Sequence, residues 1–262
     1  MSESTINRKY GWKPGLPDVR DHYYGAVVIP SALPDSIDMR AQCPAIQNQL
    51  QTSACTAHAI SGAIALDHEK QGLGSILPSR LFIYYEERVI DGTVDSDCGA
   101  TLRAGINVVY KLGVPNEEVW PFDESNVTVK PPLQAYSSAG DTKVTSYQKL
   151  SQDINMFKSA LAVGSPVVFG FSVYTEFEAA YIAQTGLLTM PQSSSRMCGG
   201  HAVLMVGYND SAVTVDGCPP GHLIIRNSWG ADWGMNGYFF MPFQYALNPN
   251  LATDFWSIKT VS

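Results

Sequence analysis

The sequence of 262 residues lacks the features of a membrane protein or a nucleic-acid-binding protein. Its longest apolar runs, such as 29–33 and 166–173, fall far short of the about 20 residues that span a bilayer. No run of Lys and Arg is longer than Arg8-Lys9, and the formal net charge is −7, so we expect neither a nucleic-acid partner nor a membrane partner. The first residues show no basic stretch followed by an apolar one, which predicts a cytoplasmic protein unless a signal was removed.

Cysteine is also scarce, and the five residues are Cys43, Cys55, Cys98, Cys198 and Cys218. Because this number is odd, at least one thiol stays unpaired unless the chain dimerises through it. We expect a monomer in which Cys55 is the free thiol. The other four cysteines then allow up to two disulfides in three pairings, among which the sequence does not choose.

Residues 1–36 differ in composition from the rest of the chain. Gly and Pro are frequent there, and aromatic side chains such as Tyr10 and Trp12 lie among them. The prolines prevent a long helix, whereas the aromatic residues argue against simple disorder. Two interpretations stay open: an extended arm packed on the domain surface, or a removable segment that covers an active site.

Residues 37–262 are predicted to form one domain whose first part, 37–130, is mainly helical. Apolar residues recur there at helical spacing, and the helices are predicted at 55–72, 77–89 and 100–112. Residues 122–139 are rich in Pro, Ser and Asp and are predicted to be the loop that joins this part to the next.

The second part, 131–262, is predicted to be mainly β, with one helix at 154–163. Its runs of β-branched and aromatic residues predict strands at 144–150, 166–173, 202–208, 222–226 and 238–241. A helical part followed by a sheet favours an α+β fold, with a cleft where the two meet.

Cys55 stands where a polar turn gives way to a helical period, and Ser53 is a natural N-cap for that helix. In the first turn of a helix, the free N–H groups and the helix dipole favour an anion. A thiol in that position loses its proton more easily, and the thiolate is the nucleophilic form. We therefore predict that Cys55 is a nucleophile.

A thiolate that attacks a carbonyl needs a base, a group that orients the base, and donors for the developing oxyanion. His201 is the candidate base, because two glycines precede it and a predicted strand follows. Asn227 can accept a hydrogen bond from the imidazole and fix its tautomer, and Gln49 can donate to the oxyanion together with the backbone N–H of Cys55. Taken singly, each of these three also fits a purely structural role.

Together these positions resemble the papain-like cysteine peptidases, and most of all their short bacterial members. The motifs that carry the resemblance are Gln49-x₅-Cys55, Gly200-His201-Ala202, Asn227-Ser228-Trp229-Gly230-x₂-Trp233-Gly234-x₂-Gly237-Tyr238 and Leu33-Pro34-x₃-Asp38-Met39-Arg40. They extend over most of the chain in the family's order, and the Asn-Ser-Trp-Gly block is the most specific of them.

The resemblance implies a papain-like fold, with a mainly helical subdomain, an antiparallel β-barrel-like subdomain and the active-site cleft between them. It implies that a Cys55 thiolate and a His201 imidazolium hydrolyse peptide bonds through a thioester, with no cofactor and no metal. Asn227 and Gln49 then take the roles given above, and Trp229 shields the His–Asn pair from water.

The resemblance also bears on the substrate, which would be a peptide or a protein. In the family, the residue before the catalytic histidine lies in the pocket for the substrate's second residue. Here that residue is Gly200, which implies an uncharged and roomy pocket floor.

This sequence departs from the family pattern near its nucleophile and at its start. Thr56 replaces the usual aromatic residue, and Thr52 replaces a structural cysteine, so the disulfide of that cysteine is absent. Only residues 1–36 precede the mature-like start, in place of a long helical propeptide. In the short bacterial members such a segment lies across the cleft, which implies that residues 10–14 approach it here and that the segment inhibits its own enzyme.

Three other interpretations stay open. The two pairs Cys55-x₂-His58 and Cys198-x₂-His201 contain enough ligands for a tetrahedral zinc ion. A second alternative is a binding protein that keeps the fold without turnover. A third is another thiol acyl-transfer enzyme, such as an amidase or a transglutaminase-like protein.

Overall fold

The structure, a computed structural model, describes residues 8–19, 21, 33–211 and 220–260. Its helices are α1 (Cys55–Lys70), α2 (Arg80–Asp91), α3 (Leu102–Lys111), α4 (Leu133–Ser138), α5 (Ile154–Ala162), α6 (Ala180–Thr185) and α7 (Phe243–Leu247). Its strands are β1 (Ser36–Asp38), β2 (Val144–Lys149), β3 (Val167–Tyr174), β4 (Met197–Asn209), β5 (His222–Arg226), β6 (Tyr238–Pro242) and β7 (Ala252–Thr260). The predicted α+β class is confirmed.

The strands form one antiparallel sheet in the order β2-β7-β3-β4-β5-β6, and β1 pairs with β4 off this path. Strand β4 is central, and in its register His201 lies opposite Phe171 of β3. Strands β2 and β6 are the two ends of the order, so the sheet is open over the part of the chain that is described. The term barrel-like therefore describes this sheet only loosely.

Helix α1 lies between the other two long helices and the sheet. It contacts α2 and α3 on one side and β3, β4 and β7 on the other. Every residue from Cys55 through Asp67 is buried. A helix that is apolar on all faces is typical of a protein core, and α1 is the element on which both parts of the fold pack.

Local capping rules set the start of α2 but not that of α1. Ser79 caps α2, because its side chain accepts a hydrogen bond from the backbone N–H of Phe82. The predicted cap of α1 is wrong: its N-cap is Ala54, and the hydroxyl of Ser53 donates to the carbonyl of Asp97 at 3.2 Å. The first turn of α1 therefore has no side-chain cap.

Strands β1 and β7 and the short helices α4, α6 and α7 were not predicted from the sequence. Helix α4 falls within 122–139, which was predicted to be only a loop. Strand β7 is buried along nearly its whole length, so it lacks the alternation that identifies a strand with one solvated face. Asp254 interrupts β7 with a positive φ of 58°, and the pairing with β3 shifts its register nearby.

The cysteines of the described part, Cys43, Cys55, Cys98 and Cys198, are all free. The prediction of up to two disulfides therefore fails for these residues, and Cys218 lies outside the described ones. Among the described helices, none is both long enough and apolar enough to cross a membrane.

The close packing of α3 against α1 and α2 gives a stability prediction. A Cβ at Gly105 of α3 would overlap Glu87 and Ile60, whereas a Cβ at the exposed Gly140 would meet no atom within 4 Å. Overpacking costs about 1–3 kcal/mol, of which up to about 1 kcal/mol is offset by the higher helix propensity of Ala. We expect Gly105→Ala to lower the free energy of urea unfolding by about 1–2 kcal/mol.

Gly140→Ala is the matched control and should leave the free energy of unfolding unchanged within about 0.5 kcal/mol. Equal stability of the two variants would contradict the packing described for α3.

Candidate active site

Cys55 is the first residue of α1 and is fully buried. Since no side chain caps this end of the helix, the N–H groups of the first turn are free to face a negative charge. The backbone of Ala202 hydrogen-bonds the thiol, and Ala202 directly follows His201 on β4. The contact between α1 and β4 thus brings Cys55 beside His201.

His201 is held by Asn227, which directly follows β5. The two side chains meet at 2.8 Å between His201 Nε2 and Asn227 Oδ1. An amide oxygen can only accept, so Nε2 carries the proton and Nδ1 of a neutral ring is the acceptor. Nδ1 is buried and has no hydrogen-bond partner within the described residues. This arrangement leaves one ring nitrogen available to exchange a proton.

Trp229 covers the imidazole of His201. The two rings stack with centroids 5.0 Å apart and an interplanar angle of 25°. Phe171 and Phe177 approach the same imidazole from other directions. This aromatic wall excludes water from the His201–Asn227 hydrogen bond, which makes the bond electrostatically stronger than it would be in water.

Gln49 lies beside Ser228, the residue after Asn227. Its Oε1 accepts from the hydroxyl of Ser228 at 2.6 Å, and its Nε2 donates to the carbonyl of Thr52 at 2.9 Å. A second, longer hydrogen bond runs from Nε2 to the carbonyl of Lys9 at 3.4 Å. The amide of Gln49 is thus fixed in orientation and directed at a carbonyl of the N-terminal segment.

The N-terminal segment, defined here as residues 8–15, crosses the site directly above Cys55. The carbonyl of Gly11 accepts from the backbone N–H of Ala100 at 2.8 Å, and the N–H of Trp12 donates to the carbonyl of Gly200 at 3.0 Å. The backbone of Gly11 also hydrogen-bonds the thiol of Cys55.

The indole of Trp12 fills a pocket whose wall is made of glycines. A Cβ at Gly170 would overlap the indole, and a Cβ at Gly200 would lie 2.7 Å from it. Trp12 itself is buried, with 5% of its surface exposed. The expected roomy, uncharged floor at Gly200 is therefore occupied by a large aromatic side chain of the same chain.

Burial changes the acidity of Cys55 and His201. Loss of hydration raises the pKa of the Cys55 thiol to about 11. Loss of hydration likewise lowers the pKa of His201 to about 4, against the favourable hydrogen bond that its ring donates to Asn227. The raised pKa of Cys55 and the lowered pKa of His201 both favour a neutral thiol and a neutral imidazole while the segment is in place.

Glu87 was missed by the reasoning from sequence. It is fully buried on α2, and the hydroxyl of Thr56, next to the nucleophile, donates to it at 2.6 Å. Burial raises the pKa of Glu87 to about 8. The available signal was Thr56 itself, because a hydroxyl in place of an aromatic residue on a buried helix requires a polar partner.

The residues of the two Cys-x-x-His pairs do not gather into one site. Over the described residues, no group of three or more His, Cys, Asp or Glu side chains is arranged to hold a metal ion. His58 instead contacts the carbonyl of Ala54 through Nδ1 at 2.8 Å and the guanidinium of Arg80 through Nε2 at 3.3 Å.

Comparison with known proteins gives consistent matches over the whole chain. The family model described as papain family cysteine protease matches residues 33–254. The crystal structure of xylellain, a cysteine protease from Xylella fastidiosa, superposes with a TM-score of 0.89 at 38% identity and covers 100% of both chains.

Two curated relatives add to this match. An uncharacterized peptidase C1-like protein, L477, of Acanthamoeba polyphaga mimivirus is 36% identical over 100% of this chain and 90% of its own length. A cathepsin B-like protein, CP3, of Giardia intestinalis is 28% identical over 79% of this chain and 68% of its own.

The acidity of two thiols gives a labelling prediction. Partial burial acts to raise the pKa of the exposed Cys98. Hydrogen bonds from Thr93 and Ser96 and the nearby Lys13 ammonium outweigh this effect and lower the pKa. Because the thiolate is the reactive form, we expect iodoacetamide to modify Cys98 at least about tenfold faster than Cys55 at pH 7 in the full chain. Peptide mass spectrometry over a time course measures both rates.

The control is Cys98→Ser, which should leave the labelling rate of Cys55 unchanged. Preferential modification of Cys55 at pH 7 would mean that the segment does not bury this thiol.

Proposed function

The chain belongs to the papain family of cysteine proteases, and from that membership we propose that Cys55 and His201 carry out its peptide-bond hydrolysis. The observation that carries the assignment is the buried hydrogen bond between His201 Nε2 and Asn227 Oδ1, which leaves Nδ1 without a hydrogen-bond partner among the described residues. The peptidase activity follows from the family, and the roles of individual residues are our proposal.

In the proposed reaction, the proton of Cys55 Sγ passes to His201 Nδ1. The sulfur then bonds to the substrate carbonyl carbon, and the oxyanion that forms accepts hydrogen bonds from the Gln49 amide and the Cys55 N–H. His201 gives its proton to the leaving amine as the C–N bond breaks, and a thioester remains. Water, deprotonated by His201, attacks the thioester and releases the acid and the Cys55 thiol.

Asn227 and Trp229 act through His201 in this proposal. Asn227 fixes the ring with Nδ1 toward the sulfur, and its oxygen stabilises the imidazolium that forms during the reaction. Trp229, which stacks on the ring, keeps water from competing for that hydrogen bond. Neither side chain touches the reacting atoms.

We further propose that the N-terminal segment inhibits the enzyme by occupying its cleft. Three contacts support this: the Lys9 carbonyl accepts from the amide of Gln49, Gly11 hydrogen-bonds the thiol of Cys55, and the Trp12 indole fills the pocket at Gly200. These are the positions that a substrate would need for its carbonyl and its second side chain.

The direction of the segment explains why it would not be cleaved. It runs from Arg8, which lies over Trp229, to Trp12 in the pocket at Gly200. If that pocket takes the second residue on the acyl side, a substrate runs from the pocket toward Trp229. The segment crosses the other way, so its carbonyls do not present the face that Cys55 attacks.

Acidic side chains anchor the far end of the segment to the sheet. Asp254 of β7 accepts from the backbone N–H of Gly15 at 2.6 Å. Further on, the buried Asp21 forms ion pairs with Arg103 and with Lys149, the latter at 3.2 Å. Buried ion pairs fix geometry more than they add stability, which suits a segment that must stay in register and still be removable.

The test of this function is peptide hydrolysis by the full chain and by Trp12→Ala. Emptying the pocket removes a buried indole, which is typically worth about 3–5 kcal/mol in a core. Even a third of that free energy corresponds to about tenfold in the closing equilibrium. We therefore expect Trp12→Ala to hydrolyse a fluorogenic peptide at least about tenfold faster than the wild-type chain.

Two control variants make the result specific. Leu16→Ala removes a side chain directly after the segment that is 84% exposed, and it should not change the rate. Trp12→Ala combined with Cys55→Ala should be inactive. If Trp12→Ala hydrolyses no peptide while its unfolding curve is normal, a non-catalytic binding protein becomes the better description. Transfer to an added amine in place of hydrolysis would indicate an acyl-transfer enzyme.

A pH dependence follows from the buried imidazole. Under the segment the pKa of His201 is about 4, below its usual value near 6.5. A histidine with a lowered pKa stabilises the covered form above its usual pKa, and this stabilisation is lost as the pH falls toward 4. Acid therefore favours an uncovered form in which His201 is protonated while Cys55 keeps its own proton. An uncovered thiolate–imidazolium pair holds as many protons as the covered neutral pair, so it adds no pH dependence.

The corresponding measurement is alkylation of the full chain between pH 7 and pH 5. We expect the labelling rate of Cys55 relative to that of Cys98 to rise as the pH falls. A parallel decline of both rates would show that protonation of His201 does not favour release of the segment.

A further inference from the structure

Arg8 contacts two side chains of the cleft that the proposed mechanism and pocket leave without a role toward substrate. Its guanidinium lies 4.1 Å from the centre of the Trp229 ring, and its Nη1 is 3.3 Å from Glu178 Oε2. The Arg8 side chain is only 16% exposed and that of Glu178 31% exposed. The Arg8 guanidinium is thus held by the face of an aromatic ring and by a carboxylate. Proteins commonly bind a planar cation in this way.

The location of this contact relative to Cys55 identifies its side of the cleft. Along the segment, Gly11 lies at the thiol, Trp12 lies in the glycine-walled pocket, and Arg8 lies over Trp229. The contact is therefore on the opposite side of the nucleophile from the Trp12 pocket. If that pocket binds the acyl part of the substrate, Trp229 faces the leaving-group part.

We infer that Glu178 and Trp229 form a specificity site for a positively charged side chain, Arg or Lys, at the first or second residue after the scissile bond. This inference rests on the proposed function, and in it Arg8 occupies the site in place of the substrate's cation. The Trp229 ring supplies the face for a cation–π contact, and the Glu178 carboxylate supplies the negative charge.

The electrostatics of the surroundings favour the same ligand. A cavity of about 280 Å³ beside Arg8 is lined by Trp229 and by a second carboxylate, Glu124. Arg8 is the only Lys or Arg side chain that lines it among the described residues. With Arg8 displaced, Glu178 would lose the one ion pair that it forms among the described residues.

A single exposed ion pair contributes little to binding, and a partly desolvated cation–π contact contributes somewhat more. Acting together they correspond to a preference of about tenfold in kcat/KM for Arg over an uncharged residue. Part of this preference comes from exposed charges, so 0.5 M salt should reduce it.

The experiment uses the full chain with Trp12→Ala, so that the segment no longer fills the cleft. Its substrates are peptides that are identical except for Arg, Gln or Glu at one of the first two residues after the scissile bond. We expect Arg to be preferred over Gln by about tenfold at one of these residues. Adding Glu178→Gln should reduce the preference to less than about threefold, and Glu178→Lys should favour Glu over Arg.

Glu118→Gln is the matched control, because it removes the same charge from an exposed carboxylate that lines a different cavity. It should retain the preference for Arg. Hydrolysis of all peptides at equal rates, or a preference for Arg that survives Glu178→Gln, would overturn the specificity site alone. Hydrolysis of no peptide by the Trp12→Ala chain would instead overturn the proposed function.

Discussion

The packing of α1 against β4 is the constraint on which the rest of the molecule depends. The helix is buried on all sides, so it cannot shift without disturbing both the helical layer and the sheet. Its first residue is Cys55, and the strand it meets carries His201. The relative position of the proposed nucleophile and the proposed base is thereby set by the same apolar contacts that hold the fold together. Preorganisation of this kind costs nothing at the moment of reaction.

Reasoning from the sequence predicted most of the fold where the local signals are strong. The helices from Arg80 and Leu102 have clear periods and capped starts, and His222–Arg226 was predicted with its observed bounds. Reasoning from the sequence failed at β7, because this strand is buried on both faces and interrupted at Asp254. The open sheet also depends on long-range strand pairing, which no local pattern encodes.

The residues of the candidate site were likewise predicted only in part. The residues with family motifs, such as His201 and Asn227, were found from type and spacing. Glu87 was not found, because an acid in a helix normally indicates a solvated face, and only the three-dimensional packing shows that this one meets Thr56. Arg8 was not found either, since nothing in its neighbourhood in sequence indicates the ring and carboxylate that it contacts.

The acidity of Cys55 and His201 depends on what covers them as well as on each other. With the segment in place, the thiol and the imidazole are both shielded from water, and loss of hydration disfavours the ionised form of each group. An ion pair between them becomes favourable once water or a polar substrate replaces the segment. In the proposed function, the segment thus controls the chemical state of Cys55 in addition to blocking access to it.

The segment and the cleft belong to one polypeptide, and this has a quantitative consequence. A tethered ligand competes at an effective concentration on the order of millimolar, whatever the concentration of the protein. Dilution would therefore not release it, and a separate peptide of the same sequence would be a far weaker inhibitor than the attached one. Because each cleft carries its own copy of the segment, the ratio of the proposed inhibitory segment to the cleft stays fixed at any level of expression.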